Sequence, residues 1–417
     1  TETSMTLPQP RPLALGLLLC TLLLPPLLAS ADDWPNWRGP HFDGISRETG
    51  LLKSWPAEGP KLAWKAPLMG GYSSMAVADG RLFTQTEDQK HEIVLCLDAA
   101  TGKQLWEYRY PCDYDQDPTL DQRFKSGPRS TPTVAGDYVY SLGTTGLLHC
   151  LEVKTGKPVW SANLLEIANR KCPEFGYCQS PLVSGDLVFV HPGGQSGNSL
   201  AALNKRDGKV VWKGLDDGIG YSTPILAEVN GAQQLLHFTA SGLVAVTPAE
   251  GKLLWRYEWK TPYDLNVATP IYSGGQVFIS SNYGRGAALL RLKGEGAPEQ
   301  VYKSGVMQNH TATSVLYEGH LYGFSNDRLR CVELATGTMK WDQRGLGRGS
   351  LLIADGHLIV LSEQGELVLA EAKPDAYAEK ARWKALQGPS WNVPVLSGGK
   401  LYLRDEKQLL AVELTGK

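Results

Sequence analysis

The chain has 417 residues, of which 42% are hydrophobic and 20% charged, a balance that allows a large buried core and excludes a disordered chain. Its formal net charge is −2 with both signs interspersed, so it offers no broad basic field for a nucleic acid or an anionic lipid surface. Length alone would fit two or three domains, but a single repeat architecture can absorb a chain of this size.

Residues 1–31 have the pattern of a signal peptide: Arg11 precedes an apolar run from Leu13 to Leu28, and Ala29-Ser30-Ala31 supplies a small-residue cleavage site. Pro25 and Pro26 interrupt the run, and no basic stop-transfer cluster follows, so cleavage is favoured over a membrane anchor. Cys20 follows Leu19 inside the run, which is not the setting of a lipid-modified cysteine. A soluble periplasmic or secreted product with no membrane span after cleavage is expected. Residues 32–60 are expected as an extended N-terminal segment, and 61–417 as the folded ring described next.

One phrase then recurs with fixed spacing. It appears as Cys96, Asp98, Gly102, Trp106; as Cys150, Glu152, Gly156, Trp160; as Ala202, Asn204, Gly208, Trp212; as Ala245, Thr247, Gly251, Trp255; and as Cys331, Glu333, Gly337, Trp341. Weaker copies run from Leu290 to Tyr302, from Leu369 to Trp383 with a four-residue insertion, and from Ala411 to the final TGK. Each phrase predicts a β-hairpin whose glycine takes positive φ at the turn. The small residue ten before the tryptophan leaves room for a large ring, and cysteine there acts as a small hydrophobe.

Upstream of each phrase lies a second strand pair: SSMAVADGRLF, STPTVAGDYVY, SPLVSGDLVFV, STPILAEVNGAQQLL, ATPIYSGGQVF, ATSVLYEGHLY, GSLLIADGHLI and VPVLSGGKLYL. Four strands per unit and a period of about 45 residues predict an all-β fold, an eight-bladed β-propeller with four-stranded antiparallel blades. KLAWKAP, with Lys61 and Trp64 spaced like Lys103 and Trp106, supplies the fourth strand that the last blade lacks. The ring is therefore expected to close by pairing of N- and C-terminal strands, which removes exposed edges.

The small residue, the glycine six positions on and the tryptophan ten on resemble the tryptophan-docking motif of quinoprotein alcohol dehydrogenases and their pyrroloquinoline-quinone (PQQ)-like relatives. The resemblance covers residues 61 to 417, and DWPNWRGPHFDGIS is similar to the N-terminal segment of secreted PQQ-like propeller proteins. It implies that Trp64, Trp106, Trp160, Trp212, Trp255, Trp341 and Trp383 wedge between neighbouring blades as structural staples. The same ring serves catalytic quinoproteins and non-catalytic proteins such as the propeller lipoprotein of the outer-membrane β-barrel assembly machinery, so side chains at the site must decide the function.

In such a ring the residues opening each inner strand face a central funnel. The repeat names Tyr72, Arg129, Cys178, Tyr221, Val267, Thr311, Arg348 and Trp391, with Gln179, Asn266, His310 and Asn392 beside them. Arginines and aromatic rings around one funnel suit an anionic or planar ligand. A quinoprotein dehydrogenase would add a vicinal cysteine pair and carboxylate and amide ligands for Ca²⁺. No Cys-Cys pair occurs and there is no CxxCH haem motif, while Trp391 is a candidate platform under a quinone and Asp264 with Asn266 a candidate calcium set, each with an equally good structural explanation.

The insertion with Asp113, Asp115 and Asp117 departs from an EF-hand at Pro118 and Phe124 and is expected as a solvated acidic loop. Cys112, Cys172 and Cys178 stand outside the repeat core, and export would permit one disulfide among them, in any of three pairings. The expectation is a monomeric, non-catalytic binding or scaffolding propeller outside the cytoplasm, without a metal. Its partner would be a small molecule or an envelope or extracellular protein. The alternative is a PQQ- and calcium-dependent alcohol or sugar dehydrogenase.

Overall fold

The computed structural model describes residues 1–3, 33–112 and 127–416, and those from Asp33 onward belong to one compact unit. The signal-peptide pattern and the acidic loop of Asp113, Asp115 and Asp117 lie outside the described residues. None of the described helices is long and apolar enough to cross a membrane.

Eight antiparallel blades follow one another along the chain. Their inner strands are Ala76–Ala78, Thr133–Ala135, Leu182–Ser184, Ile225–Val229, Ile271–Ser273, Val315–Tyr317, Ser350–Ala354 and Val395–Ser397. Blades 1 to 7 are continuous meanders, while the outer strand of blade 8 is Leu62–Pro67, paired with Gln408–Glu413 so that Trp64 faces Ala411. The ring thus closes by joining the two ends of the chain.

The recurring phrase has a direct packing explanation. Each small residue of the five strong copies sits opposite its tryptophan on one side and, except in blade 4 where Ala245 faces Leu236, opposite an aromatic on the other, as in Phe83, Cys96, Trp106 and in Tyr140, Cys150, Trp160. The two large rings then meet over the small side chain, 5.9 Å apart in both blades. Each indole also reaches the next blade. Trp106 Nε1 donates to Val153 O, Trp160 Nε1 to Lys205 O, Trp212 Nε1 to Pro248 O and Trp64 Nε1 to Ala99 O, at 2.9 to 3.0 Å. The turn glycine of the next blade lies flat on the ring, where a Cβ at Gly156 would stand 2.5 Å from Trp106.

Departures from this pattern are local. Tyr302 replaces the indole in blade 5 and donates through its hydroxyl to Leu334 O. Trp255 donates to Gln234 Oε1, and the amide nitrogen of Gln234 passes the link on to Gly294 O. Trp383 carries Gly59 on its ring in place of a turn glycine. Its cross-strand partner is Leu367, two residues earlier than the alignment placed it, because the insertion lengthens both arms of the turn. Tyr302 likewise faces Leu289, one residue before the aligned Leu290.

A second stitch explains the Ser/Thr that opens most inner strands. Thr131 N donates to Ser180 Oγ, Ser180 N to Thr223 Oγ1, and Thr269 N to Thr313 Oγ1, each bond joining neighbouring blades. Val393 lacks a hydroxyl, and there Ser74 Oγ donates to Val393 O instead. These buried bonds satisfy backbone groups at the point where blades crowd around the axis.

The segment before the ring crosses the far end of the channel. Trp34 pairs with Val77 in blade 1, Val134 N of blade 2 donates to Pro35 O, and Ile45–Ser46 adds a parallel fifth strand to blade 7. Arg38, only 5% exposed, donates to Phe42 O and Asp43 O within the segment and to Thr313 O and Ser314 O of blade 6. Burial lowers its pKa to about 10, still charged at neutral pH. Gly39 and Gly44, both at positive φ, let the strap fold tightly against Trp34 and Val315.

Candidate functional site

With one end strapped, the channel becomes a blind bowl of about 470 Å³ opening at the start of the inner strands. Its walls come from residues leading into those strands, and Trp37 of the strap contributes to the lining, its indole donating to Thr269 Oγ1 at 2.9 Å. Three aromatic groupings face the space. Tyr72 and Trp391 lie 5.1 Å apart between blades 1 and 8, and Phe175 meets Tyr221 edge-on at 5.7 Å. Tyr283 stands between Tyr263 and His310, at 6.2 and 5.5 Å.

Hydrogen bonds hold several of these rings. Glu363 accepts from Trp391 Nε1 and from the backbone N–H of Arg348, fixing the indole against the wall. The Tyr283 hydroxyl is 3.0 Å from His310 Nε2. Burial, and then the Arg348 charge, push the His310 pKa down to about 4, so the imidazole is neutral at ordinary pH. Tyr263 and Tyr283 both take left-handed backbone conformations, with φ of 61° and 57°, uncommon for bulky side chains. Both rings are exposed at the rim.

Of the funnel residues expected from the repeat, Tyr72, Arg129, Cys178, Tyr221, Val267, His310, Thr311, Trp391 and Asn392 line the bowl. Gln179, Asn266 and Arg348 are not among the lining residues. The Gln179 side chain is buried and donates to His191 O. Asn266 is fully buried, donating to Thr239 O and Trp259 O while its Oδ1 accepts from Ser281. Arg348 is half-buried and close enough to His310 for its charge to disfavour protonation of the imidazole. Trp37, Glu174, Phe175, Asn282, Tyr263 and Tyr283 join the lining from loops and the strap, outside the repeated positions.

The calcium set does not fit. Asn266 is fully buried with its Oδ1 turned to the Ser281 hydroxyl, and neither it nor Asp264 is a lining residue although Tyr263 and Leu265 are. Among the described residues no group of three or more His, Cys, Asp or Glu side chains is placed to hold a metal ion. Cys178 is a thiol whose Sγ lies 3.6 Å from Phe175 O, and Cys172 Sγ lies 3.7 Å from Thr144 O. Burial raises the pKa of each to about 11, which leaves them poor nucleophiles.

The sequence model of the family described as outer membrane protein assembly factor BamB matches residues 45–113 and 90–343. The chain is similar to BamB of Yersinia pestis, 23% identical over 290 residues, covering 67% of this chain and 72% of that protein. Among solved structures it resembles BamB from Moraxella catarrhalis, with a TM-score of 0.61 at 16% identity, covering 84% of this chain and 99% of that one. It also resembles the quinohemoprotein alcohol dehydrogenase from Comamonas testosteroni, with a TM-score of 0.64 at 14% identity, covering 93% and 81%. At these identities the structural likenesses speak to the fold alone. The family match spans well over half the chain and rests on the same repeats that build the ring, and the protein therefore belongs to the PQQ-like propeller family described as outer membrane protein assembly factor BamB.

Proposed function

We propose that this protein is a binding and scaffolding propeller of the cell envelope, exported by its N-terminal signal segment and working in the assembly of outer-membrane proteins as a monomeric ring. The bowl is its binding face. The observation that carries the reading is the pair of exposed rim tyrosines, Tyr263 and Tyr283, held in left-handed backbone at the open end of a channel whose other end is strapped. Exposed aromatics on a rigid frame are the side chains that anchor partners best, because little side-chain entropy is lost on contact. Family membership supports the assembly role, and the unfit calcium set favours it over the dehydrogenase reading.

The test is deletion of the gene in its host, with the abundance of outer-membrane β-barrel proteins as the readout. Lower barrel content, restored by the wild-type chain and restored less by a Tyr263→Ala, Tyr283→Ala double variant, is the expected result. Unchanged barrel content together with PQQ-dependent dye reduction by the purified protein would overturn the proposal in favour of the dehydrogenase.

A further inference from the structure

We propose that the bowl binds an uncharged sugar, a short neutral oligosaccharide whose rings stack on its aromatic walls. This rests on the bowl being a binding face, and deepens that reading by naming a ligand class.

Three features of the wall select this chemistry. The first is shape. Adjacent rings are tilted by 38° at Tyr72 and Trp391, 76° at Phe175 and Tyr221, and 56° at Tyr283 and His310. They make a faceted bowl instead of the flat slot that a planar heterocycle would fill, and each facet suits the apolar C–H face of a pyranose. The volume of about 470 Å³ lies within the range of about 300 to 1,000 Å³ found for small-molecule sites.

The second feature is charge. Among the described residues the lining holds one cation, Arg129, and one carboxylate, Glu174, while His310 is held neutral. An anionic or cationic ligand would meet no net complementary charge here. The third is the kind of polar atom on offer. Between the rings stand Thr311, Asn282 and Asn392, together with the Ser180 and Thr223 hydroxyls, which accept a backbone N–H from the neighbouring blade and keep a proton to donate. Sugar hydroxyls have the same dual capacity. Asn392 is 2% exposed and donates to Ser73 O, but its Oδ1 has no donor among the described residues. A buried acceptor left unmade is costly, and a small turn of the Asn392 amide toward the bowl would let a ligand hydroxyl supply the donor it lacks.

The experiment is saturation-transfer NMR and tryptophan-fluorescence titration of the full protein with a panel of neutral β- and α-linked di- and trisaccharides, a sialylated and a sulfated sugar, and PQQ. Saturable binding of at least one neutral oligosaccharide is expected, with transfer strongest at its C–H protons and affinity falling about tenfold in Trp391→Ala. Because Trp391 also braces Glu363, Tyr283→Ala at the exposed rim is the second variant, and it should weaken binding while leaving the melting temperature unchanged. No binding of any neutral sugar, equal binding by both variants, or preference for the charged sugars or PQQ would each overturn the proposal. Loss of barrel proteins on deletion with no sugar bound would sink the sugar and leave the scaffold reading standing. Sugar bound with barrel content unchanged would do the reverse.

Discussion

Arg404 reaches from blade 8 into blade 1 and donates through Nη1 to the carbonyl oxygen of Gln85 at 2.8 Å. The same guanidinium also donates to Thr84 Oγ1, Gly70 O and Gly71 O, and it is fully buried. Its planar fork therefore serves the seam where the two ends of the chain meet. Burial lowers its pKa to about 9, so it stays mostly protonated at neutral pH. Arg404→Met leaves several buried acceptors without a donor and is expected to cost about 3 kcal/mol or more. Arg404→Lys should recover little, because an ammonium cannot reproduce the fork. Urea denaturation of the three proteins checks this, and a loss below about 0.5 kcal/mol in the methionine variant would refute it.

The indole bonds are not equally replaceable. Lys205 O accepts from Trp160 Nε1 and also from the Tyr140 hydroxyl, whereas Val153 O accepts from Trp106 Nε1 with Phe83 at the position equivalent to Tyr140. Trp160→Phe therefore keeps its carbonyl satisfied, and Trp106→Phe does not. The second substitution should destabilise more than the first by about 1 kcal/mol, a difference measurable as a lower denaturation midpoint at equal slope.

Turn glycines divide in the same way. Gly102 and Gly80 share a φ of +71°, but a Cβ at Gly102 would stand 2.5 Å from the Trp64 ring, while nothing lies within 4 Å of one at Gly80. Gly80→Ala should cost only the backbone strain, about 1 kcal/mol. Gly102→Ala adds the displacement of Trp64 at the closing blade and should cost about 2 to 4 kcal/mol. Paired thermal melts decide, and equal losses would show that the ring yields to the methyl group.

Acid should weaken the third and fourth blades. His191 and His237 are fully buried and share a hydrogen bond, with Ser199 Oγ at the other nitrogen of His191. Burial pushes the His191 pKa down to about 3 and that of His237 well below its usual value, the neighbouring imidazole adding to the second shift. Both rings are neutral in the folded protein, so the unfolded chain binds more protons once pH falls below about 6.5. Stability is complete above that pH and declines toward pH 3, with His191 alone accounting for about 2 to 3 kcal/mol by pH 4.5. Glu92, whose pKa is raised by burial, acts in the opposite sense, so the comparison must be with a variant. A His237→Gln protein should show a shallower fall over the same range, and a slope equal to wild type would refute the assignment.

The ring was legible because its packing repeats. A tryptophan facing a small residue and touching the next blade imposes the same spacing wherever it occurs, and Cys96, Ala202 and Cys331 obey it equally. The bowl was legible only where it coincides with that period. Tyr72, Tyr221 and Trp391 sit at one repeated position and line the space, but of the four neighbours only His310 and Asn392 do so, while Gln179 and Asn266 turn into the wall to bond His191 O, Thr239 O and Trp259 O. Tyr263 and Tyr283 lie in loops whose left-handed backbone leaves no period to read. Trp37 lies outside the repeats altogether, and the paired tryptophans of DWPNWRGP, with a glycine two residues past the second, were the available sign of a packed strap.

That strap also sets an order of events. Trp34 and Arg38 precede the ring in the chain, yet the acceptors for Arg38 at Thr313 and Ser314 lie more than 270 residues later. Ile45 must likewise wait for Ile353. Blades 1 and 2 can hold Trp34 and Pro35 early, but Arg38 and Ile45 must wait for blades 6 and 7, so the strap is completed only once most of the ring is made. Contacts so distant along the chain form late, because the loop between them must be closed before they can reward it. The waiting interval is the time during which a chaperone or a protease would meet this protein with one end of its channel uncovered.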